Sequence, residues 1–96
     1  MVTTTVERIQ TGIRIEKRIL KVLKAMAEVH EMSLGDLIEG IVLHAFEGKA
    51  PFGRESLKKI SDLRKIYGLT LTATDSHKLI EEPVRRKPAK GKKPPA

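Results

Sequence analysis

From Gln10 the chain alternates. Thr11, Ile13 and Ile15 fall on one side of an extended segment, and Gln10, Gly12 and Arg14 fall on the other. Period-two alternation over residues 10–15 predicts a short half-buried β-strand. The period then changes. Ile19, Val22, Leu23, Met26 and Ala27 recur at helical spacing and predict a core-facing helix over residues 16–31. Glu16 near its start suits the helix dipole, and Lys17, Arg18, Lys21, Lys24 and Glu28 lie largely off the stripe. A turn follows and ends in Ser33, whose hydroxyl is suited to cap a second helix. Asp36, three residues on, occupies the capping-box position. Leu34, Leu37, Ile38, Ile41, Val42, Ala45 and Phe46 form the cleanest helical stripe in the chain.

Gly40 interrupts that second helix at a cost of about 1 kcal/mol relative to alanine; it serves either a close helix approach or simple slack. Gly48 is a C-terminal stop. Residues 49–53 read as a linker marked by Pro51 and Gly53. A third helix is expected over residues 54–67 from Leu57, Ile60, Leu63 and Tyr67, ending at Gly68. Residues 70–73 read as extended or irregular, and Asp75 as the cap of a last short helix over residues 76–82. Residues 1–9 show no periodicity and are expected to form a flexible arm.

Composition changes this picture mainly at the C-terminus. The formal net charge of +7 is unevenly spread. Residues 1–48 are net −1, residues 49–82 net +2 and residues 83–96 net +6. That last stretch holds Arg85, Arg86, Lys87, Lys90, Lys92 and Lys93 with four prolines and no aliphatic residue after Val84 other than alanine. A segment so poor in apolar surface is expected to stay disordered, and its cations suit sequence-independent contact with nucleic acid. Cysteine is absent, which excludes disulfides and thiolate chemistry. No apolar run approaches the ~18 residues of a membrane span, and residues 1–5 lack the features of a signal peptide. The expectation is a soluble cytoplasmic protein with no membrane role. Phe46, Phe52 and Tyr67 are too few for a base-stacking platform.

Strand, helix and helix within residues 10–48 are too little chain to close a core alone, so the unit is expected to pair with a copy of itself. The order and spacing resemble the ribbon-helix-helix family of Arc, MetJ and CopG-type DNA-binding proteins. That resemblance implies a mainly α fold with one short N-terminal strand, built as an intertwined homodimer whose paired strands enter the major groove of double-stranded DNA. It places Gln10, Gly12 and Arg14 toward the bases, with Ile13 and Ile15 inward. Arginine can donate twice to guanine and glutamine can pair with adenine; Gly12 has no side chain with which to read a base. The resemblance also places a DNA phosphate at Ser33, Leu34 and Gly35, where a helix N-terminus offers unpaired amides.

The organisation expected is an arm over residues 1–9, a ribbon-helix-helix domain over 10–48, a linker and helical extension over 49–82 and a disordered basic tail over 83–96. The function implied is a sequence-specific transcriptional regulator, acting as a repressor and nucleoid-associated. Other readings stay open. Gln10 and Arg14 also suit the solvated face of an edge strand, and Ser33 an ordinary capped helix. An antitoxin-type module would add a protein partner bound through residues 54–82, and a helical interaction protein would have no DNA role. Leu57, Ile60, Leu63, Ile66 and Tyr67 are expected to cover the dimer rather than a separate protein. His30, His44 and His77 form no ligand motif, and no nucleophile–base arrangement or cofactor loop is visible. No enzymatic activity, metal or cofactor is expected.

Overall fold

A computed structural model of the chain describes residues 3–82. Three α-helices follow one another: α1 over Lys17–Val29, α2 over Leu34–Phe46 and α3 over Arg54–Tyr67. A single 3-10 turn, Ala73–Asp75, follows them.

The helix boundaries have local causes. Glu16 caps α1 by accepting the Arg18 and Ile19 amides, each at 2.9 Å. Ser33 Oγ caps α2 by accepting the Asp36 amide at 3.1 Å. All three helices end in the same two-bond motif, in which the chain reverses through one left-handed residue. At α2 and α3 that residue is a glycine, Gly48 at φ 69° and Gly68 at φ 68°. At α1 it is Glu31 at φ 56°, with the Met32 amide donating to the Ala27 carbonyl and the Glu31 amide to the Glu28 carbonyl.

Helix α1 is the shared element, because α2 and α3 each pack on it. The core gathers Val22, Met26 and Ala27 from α1, Leu37 from α2 and Leu69 from the segment after α3. Ile19, Leu23, Ile41, Phe52, Ile60, Leu63 and Leu71 pack against that cluster. The extension therefore shares one core with α1 and α2. Met26 is the most enclosed side chain, at 1% exposure.

The predicted strand does not form. Residues 3–15 have no regular secondary structure, and no strand occurs among the described residues. Alternation supplies two faces, but a strand also needs a neighbour to pair its amides and carbonyls. Within the described chain no second segment offers that edge. Ile13 and Ile15, expected to point inward, are exposed, Ile13 at 73%. The ribbon-helix-helix architecture and its intertwining of two subunits through a ribbon are thereby overturned. The described chain is a small all-helical unit preceded by an irregular arm.

Smaller corrections follow the same logic. The expected helix over residues 76–82 is absent; Asp75 closes the 3-10 turn by accepting the Thr72 amide at 2.8 Å. A side chain added at Gly40 would meet nothing within 4 Å, so that glycine does not serve a close approach within this chain. Leu57 and Ile66 are exposed rather than packed. The tail cations Arg85, Arg86, Lys87, Lys90, Lys92 and Lys93 lie outside the described residues.

Candidate nucleic-acid interface

The arm carries Gln10, Gly12 and Arg14, and all three are exposed. Arg8 fastens it to α2, and Arg14 pairs with the segment after α3. Arg8 donates to both carboxylate oxygens of Glu39 on α2, from Nε at 2.8 Å and from Nη2 at 2.7 Å. Its Nη2 also lies 3.9 Å from Asp36. The hydrogen bond to Glu39 raises the Arg8 pKa and lowers that of Glu39. Arg14 forms a second fork with Glu81, from Nε to Oε1 at 3.1 Å and from Nη2 to Oε2. That hydrogen bond, with the adjacent positive charge, holds the Glu81 carboxyl below the usual carboxylate range.

Ser33, Leu34 and Gly35 stand together at the start of α2, as their order dictates. The Leu34 and Gly35 amides precede the i→i−4 ladder, which begins with the Leu37 amide on the Ser33 carbonyl at 3.1 Å. The space above Gly35 is open. Asp36 places a carboxylate in the same first turn. It is therefore the pairing of Arg8 with Asp36 and Glu39 that offsets negative charge beside this helix end. Among the described residues, Arg8 is the arm residue whose side chain ties the arm to α2; Gln10, Gly12 and Arg14 are not joined to Ser33–Gly35 by any hydrogen bond or ion pair.

Arg8 and Glu81 were not legible as site residues. Arg8 falls in a stretch without periodicity, and Glu81 reads in sequence as part of a solvated charge cluster with Glu82, Arg85 and Arg86. The apolar flank of α2 beside the core is the third feature. Leu34, Ile38, Val42, Ala45 and Phe46 recur along α2 on the flank beside Leu37 and Ile41; Leu34 and Ile38 are half-buried, whereas Val42, Ala45 and Phe46 are exposed, as is Leu43 further round the helix. Phe46 is 80% exposed and Leu43 62%. The apolar stripe of a helix ordinarily faces a core along its whole width, and here part of that width is uncovered.

A groove of about 300 Å³ opens between the α1–α2 turn, α2 and the linker, lined by His30, Met32, Leu37, Ile41, His44 and Phe52. His44 Nδ1 donates to the Gly40 carbonyl at 2.7 Å. His30 Nε2 lies 3.5 Å from Ser56 Oγ. Among the described residues no group of His, Asp or Glu could hold a metal ion. No described helix is long and apolar enough to cross a membrane.

Comparison with family models, with characterised proteins and with solved structures finds no match to this chain.

Proposed function

We propose that this protein binds double-stranded DNA as a homodimer and regulates transcription as a repressor, in the cytoplasm and on the nucleoid. The observation that carries the reading is the exposed arm of residues 3–15, on which Gln10 and Arg14 are accessible to solvent. Extended N-terminal arms can enter the minor groove without being part of a sheet; laid in the major groove, such an arm would meet the base edges that distinguish the four pairs. Arg14 supplies the two-point donor that matches guanine, and Gln10 the donor–acceptor pair that matches adenine. Gly12 between them leaves room for close backbone approach. The Leu34 and Gly35 amides with the Ser33 hydroxyl supply a phosphate contact that fixes position without reading sequence. The tail cations supply affinity for any duplex.

The partner argued for the exposed flank of α2 is a second copy of this chain. The stripe Leu34, Ile38, Val42, Ala45 and Phe46 carries no charge for a differently charged partner to complement. Residues 1–48 are net −1, so two copies meet without strong repulsion. A two-fold arrangement sets the same stripe against itself. The apolar face also favours a second reading, an antitoxin-type module in which another protein covers α2 or the exposed Leu57 and Ile66 of α3.

Duplex binding across a salt series, with genomic fragments as the probe, tests the first reading. Specific and salt-sensitive binding is expected, and Arg14→Ala is expected to weaken the preferred site by roughly ten-fold or more while flattening preference at one position. Equal weakening on every sequence would make Arg14 a phosphate contact. An absence of duplex binding would remove the reading, and copurification of a second protein would favour the module.

A further inference from the structure

The guanidinium assigned to DNA is already occupied. Arg14 and Glu81 are 67 positions apart in sequence, yet the fork of one meets both oxygens of the other. The chain after α3 is brought to this place by its own anchors. Arg18, in the first turn of α1, donates to the Gly68 carbonyl at 3.0 Å. Leu69 is buried and Leu71 packs on the core. The Thr72–Asp75 turn is closed by two bonds, and the Lys78 amide donates to the Asp75 carbonyl at 3.1 Å. Residues 68–78 are thereby fastened to the body and the turn, and Glu81 follows three residues later. Beyond those anchors the segment is loosely held, since Leu79 is exposed and Ile80 is 93% exposed. Glu81 can leave Arg14 without opening the core.

A carboxylate presents two acceptor oxygens to an arginine fork, as a phosphate does and as the O6 and N7 atoms of guanine do. One guanidinium fork cannot hold Glu81 and a duplex at the same time. The pair is solvent-exposed, with 76% of the Arg14 side chain and 57% of the Glu81 side chain accessible. Exposed pairs contribute little to folding and weaken with salt. That suits a displaceable contact better than a structural staple.

We propose that Glu81 is an internal competitor for Arg14, so that the C-terminal segment gates the DNA-contacting arm. The inference rests on the DNA-binding reading given above. Duplex binding through the Nε–Nη2 edge of Arg14 must displace Glu81, and any event that neutralises or draws away that carboxylate increases affinity. The six cations that follow within residues 83–96 place positive charge close by in sequence. Duplex that engages them also raises the local concentration of phosphate near the gate.

The test uses the full chain and a short mixed-sequence duplex followed by fluorescence anisotropy at low and moderate salt. Glu81→Gln is expected to bind about two- to five-fold more tightly than the parent, the range open to exposed ion pairs. The gain is expected to shrink as salt rises. Glu82→Gln makes the same charge change one residue on and is expected to give a clearly smaller gain. In an Arg14→Ala background the Glu81→Gln gain is expected to vanish. In the free protein, the Arg14 Nε–H resonance is expected to move with Glu81→Gln and to stay in place with Glu82→Gln. Equal gains from the two glutamine variants, or a Glu81→Gln gain that persists without Arg14, would overturn the gate while leaving DNA binding intact. If neither the parent nor Glu81→Gln binds duplex, the DNA-binding reading falls and the gate with it.

Discussion

Phe46→Ser separates the two environments open to the last residue of α2. In the isolated chain the ring is 80% exposed, and phenylalanine and serine have similar helix propensities. The change should therefore leave the stability of the monomer within about 0.5 kcal/mol. A second copy covering the stripe reverses that expectation. A phenylalanine offers roughly 150–250 Å² for burial, and most of it is available here. At about 25 cal/mol per Å², full coverage is worth roughly 3–5 kcal/mol per ring. A two-fold pair contains the ring twice. With only half of each ring covered, the dimer still loses about 3–5 kcal/mol, which weakens association by roughly two to four orders of magnitude. Sedimentation equilibrium reads that shift directly, and the concentration dependence of the thermal midpoint reads it independently. Coverage of the stripe by a second copy is refuted if the parent chain stays monomeric at high protein concentration. It is equally refuted if Phe46→Ser lowers the midpoint by the same amount at every concentration, because the ring would then be serving the fold of one chain.

Met26→Ala should cost about 2–5 kcal/mol in urea unfolding, since the side chain is fully enclosed and its removal leaves a cavity among Val22, Leu37 and Leu69; a cost below about 1 kcal/mol would mean the α1 contacts are not the core. Glu16→Gln should lower stability by about 1 kcal/mol by weakening the α1 cap. Burial works to raise the Glu16 pKa, but hydrogen bonds from the Ile19 amide and from Arg18 outweigh it and leave the pKa lowered. A lowered folded-state pKa contributes stability above the unfolded value of about 4.3 that is lost as pH falls through the folded pKa. The midpoint of the parent should therefore drop more steeply than that of Glu16→Gln on acidification through that window, and parallel curves would contradict the capping role. Removing residues 83–96 should weaken specific and nonspecific duplex binding together and make the salt slope shallower; an unchanged slope would assign the six cations to another purpose.

What the sequence determined by itself was local. The stripe Leu34–Leu37–Ile41 predicts α2, and Ile60 with Leu63 predicts α3, because helical periodicity and neighbouring residues suffice to define an amphipathic face. Ser33 as a cap, and Gly48 and Gly68 as stops, follow from bonds within one turn and from the left-handed conformation that glycine tolerates. The period-two signal at residues 10–15 failed because a strand is completed by a neighbour in space, and alternation says nothing of whether one is present. Asp36 occupies the capping-box position in sequence, and its carboxylate stands near Arg8. Arg8 with Glu39 and Arg14 with Glu81 join positions 31 and 67 residues apart. No sequence period connects such pairs. Only the tertiary structure decided them, because the packing of α2 and α3 on α1 sets which distant charges come within hydrogen-bonding reach, and which apolar face of α2 the chain leaves uncovered.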